Sequence, residues 1–346
     1  MAKKDKSAVK KKESLPVLSK KIGVSVASIF AAVFALIIIL HQNPLANPTE
    51  EIIKKIIACS IIGVALIVYI VLYEKIMILP RELMQNRKLI WKLAKNDFKT
   101  RYAGSYMGAL WALLQPVVTV ALYYFVFDVI FQNRSQLLAS GIEAPYVMWL
   151  TAGLVPWFYF SEAIIQGTQA LLEYNYLVKK VVFKISILPI IKIIGATFIH
   201  VFFVSVMLIL YFVYGYTPDI YLIQIIYYSL CMFIFVLALS YATCAIVIFF
   251  RDLTQIINIF LQIGMWATPI LWDISFLSGK NAKFQILFKI NPVYYVVNGY
   301  RCAMFEKTWF FQDFYSTMFF WIVTGVFFGI GALIFKRLKV HFADVL

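Results

Sequence analysis

ISILPIIKIIGATFIHVFFVSVMLILYFV, residues 185–213, decides the fold. It carries one formal charge, Lys192, near its start and one histidine, His200, near its middle. A bilayer core needs about 20 apolar residues in a helix, and this run exceeds that. Comparable runs stand at 22–40, 56–73, 107–131, 146–169, 219–249, 254–272 and 314–335. Composition agrees: 62% of the 346 residues are hydrophobic and 14% charged, with mean hydropathy +0.83. Soluble domains carry roughly one-quarter charged residues. The fold class is therefore an all-α integral membrane protein with eight expected crossings.

The net charge of +15 would suit an acidic partner such as nucleic acid if it were spread over a surface. Its placement says otherwise. With the N-terminus inside, 24 of the 32 Lys and Arg residues fall in cytoplasmic segments or, for Lys192, near a cytoplasmic helix end. Eight lysines lie in residues 1–21 and eight further basic residues in 74–103. The charge thus records topology, both termini are expected in the cytoplasm, and no nucleic-acid partner is implied. The lysine-rich start and the long run 22–40 read as a retained signal anchor, not a cleaved peptide. Cys59, Cys231, Cys244 and Cys302 have no CxxC spacing and are expected to pack; no metal site is expected.

The chain divides into a basic tail (1–21), a transmembrane hairpin (22–80), an amphipathic block (81–103) and the remaining spans (104–346). In the block, Lys88, Lys92, Lys95 and Lys99 share one helical face. Leu83, Ile90, Leu93, Ala94 and Phe98 fall opposite, with Trp91 near the boundary. Such a helix lies in the cytoplasmic membrane interface, as an anchor or as a lever against a cytosolic partner. The outer stretch 273–313 is too apolar for a solvated loop. Asn291 there reads as an N-cap with Pro292 at the first helical position, opening a helix to about Phe305. Re-entrant packing would satisfy its backbone.

Charges inside spans are costly and read first as functional. Glu162 and Asp128 can line a water-filled path; Asp128 can equally reach the outer interface. His200 reads as a packing histidine. Gly325-x-x-x-Gly329 permits close helix approach, whereas Gly104-x-x-x-Gly108 lies partly outside a span.

From Leu89 onward the chain resembles the ABC-2 type permeases that export O-antigen, capsule and teichoic-acid polymers. The residues that carry this are Leu89-Ile90-Trp91, Asp97, Arg101-Tyr102, Ser105, Gly108, Trp111, Gln115-Pro116, Gly153-Leu154-Val155-Pro156-Trp157 and Asn175 to Lys180. Pro189, Phe250-Arg251-Asp252, Thr268-Pro269-Ile270, Asn291-Pro292 and Tyr300-Arg301 continue the order. The resemblance implies a six-span core, so the hairpin at 22–73 is an addition. It implies a homodimer, two copies of a separate ABC ATPase, and a lipid-linked glycan carried between the permeases in a bacterial cytoplasmic membrane.

ATP and Mg would be bound by the partner ATPase, with no cofactor in this chain. The sequence agrees, because it has no G-x-x-x-x-G-K-[ST] loop and Ser278-Gly279-Lys280 is a poor fragment of one on the outer side. The resemblance makes 173–184 the segment that touches the ATPase, with Glu173, Tyr174, Tyr176, Lys179 and Lys180 as candidates and Arg251 and Asp252 beside them. Lys179 and Lys180 also serve as topogenic charges. Where the family often has Phe-Pro-Arg, this chain has Phe183-Lys184-Ile185. The interface-helix candidates are Lys88, Trp91, Lys92, Lys95, Asp97, Lys99 and Arg101.

Aromatic rings suit the C–H faces of sugars. Trp111, Tyr123, Tyr124, Trp157, Tyr159 and Phe160, with Glu162, are the candidate substrate path; the same rings can face lipid or pack helices. Pro269, Asn291, Pro292, Tyr295 and Arg301 are the candidate outer gate. An exporter of a drug or small lipid, a membrane transferase using a lipid-linked donor, and a membrane scaffold are the rival classes. The histidines at 41, 200 and 341 are scattered and no paired-carboxylate motif supports a transferase, so the chain reads as a transport subunit and not an enzyme.

Overall fold

A computed structural model describes residues 20–40, 48–101, 104, 106–108, 110–132, 135–137, 143–179, 184–277 and 282–345. The chain forms two compact units, Met1–Arg87 and Lys88–Leu346. The basic tail up to Ser19 and the loop 41–47 lie outside the described residues.

The first unit pairs α1 (Lys20–Leu40) with α2 (Pro48–Ile76). Both are apolar around much of their circumference, the pattern of helices solvated by lipid. Tyr73 lies over Gly23, where a Cβ would meet its ring Cε2 at 2.7 Å. A short α3 (Ile78–Gln85) follows, and Arg81 reaches Glu74 at 3.4 Å. The block at 81–103 was expected to be continuous, but the chain breaks at Asn86, whose side-chain amide donates to the Glu82 carbonyl at 2.6 Å. The same carbonyl also accepts the Asn86 backbone N–H at 3.2 Å, so Asn86 closes α3 with both of its donors. A separate helix, α4 (Arg87–Arg101), begins after it.

The second unit continues with α5 (Leu110–Tyr124), extended by a π-helical turn at Phe125–Ile130. Gly104 and Gly108, at φ +84° and +55°, form the turn between α4 and α5, which only glycine enters without strain. A small antiparallel hairpin, β1 (Ser135–Leu137) and β2 (Glu143–Pro145), leads into α6 (Tyr146–Glu173). Then come α7 (Asn175–Val178), α8 (Leu188–Val213), α9 (Gln224–Val247) and α10 (Leu253–Ala267). At the far end lie α11 (Ala282–Lys289), α12 (Pro292–Arg301) and a π-helical turn at Cys302–Glu306. The chain closes with α13 (Phe314–Leu338) and α14 (Phe342–Val345).

Five of the eight expected crossings are helices long and apolar enough to span a membrane: 20–40, 146–173, 185–213, 220–247 and 314–341. The other three coincide with shorter apolar helices at 55–71, 117–127 and 253–267. The β-hairpin was not foreseen.

The centre of the second unit is α6, packed on α8, α9 and α12, with α13 against α9. Gly167 of α6 lets Ser240 of α9 come close. The close approach of α13 differs from the one expected. Gly325 and Gly329 meet nothing within 4 Å, whereas a Cβ at Gly331 would stand 2.7 Å from the Ala238 carbonyl oxygen. Two residues turn a helix by about 200°, which puts Gly331 on nearly the opposite side from Gly329.

Candidate functional site

Where α6 ends and α8 begins, α4 lies across them. Ile90, Ala94 and Asp97 form its buried stripe, and Trp91 and Phe98 both meet the Phe198 ring of α8 edge-on at 5.5 Å. Lys88, Lys92, Lys95 and Lys99 point away and are exposed, as the spacing predicts. The helix expected in the membrane interface thus uses part of its apolar side for packing on α8.

Asp97 occupies a stripe position where an apolar residue would be expected, and a buried carboxylate needs partners. It has three. Lys192 Nζ donates to Oδ1 at 2.7 Å and the Tyr174 hydroxyl to the same oxygen at 2.5 Å. Arg101 Nη2 donates to Oδ2 at 3.2 Å. The cluster then extends in two directions. Lys192 Nζ also donates to Glu173 Oε2 at 2.5 Å, and Arg101 Nη1 lies 3.5 Å from Glu162 Oε1. Gln166 donates to the same Glu162 oxygen. Burial pushes the Asp97 carboxyl up, but the hydrogen bonds from Lys192 and Tyr174 and the charges of Lys192 and Arg101 outweigh it. Its pKa is therefore held below the usual carboxylate range. Burial and the bond to Asp97 raise the Tyr174 hydroxyl, so it stays a donor.

Five charged side chains from three elements therefore meet: Asp97 and Arg101 of α4, Glu162 and Glu173 of α6, and Lys192 of α8. No group of three His, Cys, Asp or Glu residues suited to a metal occurs among the described residues.

Of the coupling candidates, Glu173 and Tyr174 belong to this cluster, while Tyr176 and Lys179 are exposed beside it. Lys180 lies outside the described residues, as do Tyr102, Ser105 and Phe183. Arg251 and Asp252 are exposed just before α10 and form no ion pair among the described residues.

The path candidates separate into two groups. Trp111 and Tyr124 are exposed on α5, with Tyr123 half-buried between them in sequence. Trp157 is buried against α10, where a Cβ at Gly264 would meet its ring at 2.9 Å. Tyr159 bonds Thr197 at 2.8 Å and stacks on His200 at 4.3 Å, and Phe160 stacks on Phe235. Glu162 is engaged by Arg101 and Gln166 and is not left free toward a path. Asp128 stands in the first π-helical turn, its side chain outside the described set.

The gate candidates converge some 24 residues up α6 from Glu173, about 36 Å at 1.5 Å per residue. Asn291 caps α12 by accepting from the Val293 amide, and its amide group donates to Thr268 Oγ1 at 2.7 Å. Pro292 takes the first turn. Arg301 is buried with its guanidinium 3.4 Å above the Trp149 ring. It donates to the Pro269 and Ile270 carbonyls at 2.7 and 2.8 Å, and to the Trp149 carbonyl at 3.4 Å. Tyr295 lies 2.9 Å from Thr317 Oγ1 and 3.2 Å from the Tyr227 hydroxyl.

Lys192 was read from sequence only as a topogenic charge. The available signal was that it is the one lysine within an apolar span; such a charge must find partners.

Residues 88–305 match the family described as ABC-2 type transporter. The chain is 30% identical over 228 residues to the O-antigen export system permease protein RfbA of Myxococcus xanthus, covering 66% of this chain and 84% of that relative. A protein of the same name from Klebsiella pneumoniae is 26% identical over 263 residues, covering 75% of this chain and 95% of its own length.

Proposed function

The chain belongs to the ABC-2 type transporter family, and on that premise we propose that it is the permease subunit of an ATP-driven exporter of polysaccharide. It is a multi-pass inner-membrane protein and a transport subunit, not an enzyme, and it works with an ABC ATPase. The observation that carries the substrate class is the likeness to permeases named for O-antigen export, over most of their length.

The finer assembly in this reading is a homodimer with two ATPase copies, which bind the ATP and Mg. Both termini lie in the cytoplasm, as the lysine distribution favours. A lipid-linked glycan enters from that side. ATPase closure presses on Glu173, Tyr174, Tyr176, Lys179 and Lys180, with Arg251 and Asp252 alongside. The lysine face of α4 rests at the anionic headgroup layer. The exposed rings Trp111 and Tyr124 of α5 offer flat apolar surfaces to sugar C–H groups. The Asn291–Arg301 helix bounds the outer mouth.

The test is gentle purification of the tagged chain from its native membrane with identification of what accompanies it, followed by depletion in cells. A stoichiometric ABC ATPase and loss of surface polysaccharide are expected. Purification without any ATPase, repeated after mild cross-linking, would sink the reading.

A further inference from the structure

We propose that Lys192 is a positioning residue that makes the interface helix α4 and the coupling segment after α6 move as one body. The proposal rests on the transport reading above and names the joint that reading requires.

The geometry points to more than charge neutralisation. Asp97 is buried, and Arg101 on its own helix already supplies a cation to Oδ2. Lys192 adds a second cation at Oδ1, and the same Nζ reaches Glu173 at 2.5 Å. The Glu173 side chain is 47% exposed and would be solvated by water without any partner. A buried lysine that holds a carboxylate with no need of it therefore serves to connect. The Tyr174 hydroxyl forms a parallel tie from the coupling segment to Asp97, and Lys192 Nζ lies 4.9 Å from the centre of that tyrosine ring. Three elements thus share one junction: α4 through Asp97, the end of α6 through Glu173 and Tyr174, and α8 through Lys192. Charge-assisted bonds of this kind are short, directional and roughly twice as strong as neutral ones. A push on the segment after Glu173 would reach α4 through them.

A purely structural role and a coupling role predict different outcomes. Removing one member of a buried pair strands a charge, while replacing both by neutral groups is often tolerated. Lys192→Met should lower both the yield of the complex and export. The double variant Asp97→Asn with Lys192→Met strands no buried charge and should restore yield and ATP hydrolysis, yet leave export roughly tenfold down. Glu173→Ala removes the bridge at its exposed end; export should fall while yield holds. A double variant that exports at the wild-type rate would overturn the proposal, as would Glu173→Ala exporting normally.

A second measurement does not depend on the substrate. Spin labels are introduced through unnatural amino acids at the exposed Asn96 and Asn175 of the complex with its ATPase. Their separation should be the same in nucleotide-free and vanadate-trapped states of the wild type, and should differ between those states in the double variant. A wild-type separation that changes with nucleotide defeats the one-body claim. If deleting the gene leaves surface polysaccharide unchanged, the export reading fails, and the label distances still decide the role of Lys192.

Discussion

The two ends of the second unit each hold a helix across the spans by a buried cation, and they satisfy it in opposite ways. At one end Lys192 of α8 binds two carboxylates from two elements. At the other, Arg301 of α12 binds no carboxylate among the described residues; it takes three backbone carbonyls and lies on the Trp149 ring. Carbonyls of the Thr268–Leu271 turn have no helical partners where α10 stops, so the guanidinium satisfies groups that would otherwise be orphaned. Bonds to fixed backbone make a permanent brace. Side-chain carboxylates ride on their own helices, so the ties at Lys192 join elements without anchoring them to backbone. The Arg301 end is therefore a fixed brace, and the Lys192 end is the joint proposed to move as one body.

The comparison is broken most severely at the brace. Arg301→Met keeps an apolar side chain of fair length but strands the buried Pro269 and Ile270 carbonyls, each costing about 1–3 kcal/mol. The summed loss is a large share of the roughly 5–15 kcal/mol that holds a domain folded. We expect a collapse in folded yield and a markedly lower thermal midpoint in detergent. Arg301→Lys should recover little, because one ammonium group cannot reproduce the planar fork. A midpoint within a degree or two of wild type would show that the turn finds other donors.

Glycines sharpen the contrast at smaller amplitude. Gly299 of α12 lies against the Tyr228 ring of α9, with no room for a methyl group. At Gly195 of α8 an added Cβ would sit 3.7 Å from Asp97 Oδ2, an ordinary contact. Gly299→Ala should therefore cost about 1–3 kcal/mol through forced repacking. Gly195→Ala should be neutral or should stabilise by up to roughly 1 kcal/mol through helix propensity. Thermal unfolding of the two variants side by side checks this. Equal losses at both positions would mean that the Lys192 end is as tightly packed as the brace.

How much of this was legible follows the same division. Among the described residues, hydropathy located the five helices long and apolar enough to cross and the three shorter apolar ones, because burial in lipid acts on every residue of a run. The Asn291-Pro292 cap was legible because capping depends on neighbours in sequence, and the lysine face of α4 because a helix repeats every 3.6 residues. Asp97 was half legible: its spacing from Ile90 and Ala94 places it on the buried stripe, and its charge demands a partner. Which partner was not legible, since Lys192 stands 95 residues away. Gly331 gave no signal that set it apart from Gly325 and Gly329, because close approach is fixed by the rotation of α13 against α9. The break at Asn86, with φ −102° and ψ 12°, is a change in one residue's backbone that residue spacing does not report.

The smallest expected effect is a pH dependence that belongs to the Lys192 end alone. The Asp97 pKa is held below the unfolded carboxylate value, by Lys192 and Tyr174 against its burial. A depressed carboxylate contributes stability that is fully present above its unfolded pKa and is lost as pH falls through its folded pKa. Between about pH 5 and 8 that contribution should be flat, and it should fall away only in stronger acid. Asp97→Asn removes the titrating group, so the acid limb of the stability curve should shallow while the neutral plateau drops. Arg301 is bonded to carbonyls, which do not titrate, so Arg301→Lys should shift the whole curve down without changing its acid limb. Thermal midpoints of the three proteins, followed from about pH 8 down into the acid region below about pH 5, read both slopes. An acid limb in Asp97→Asn as steep as in the wild type would locate the titration elsewhere and remove the electrostatic half of the contrast.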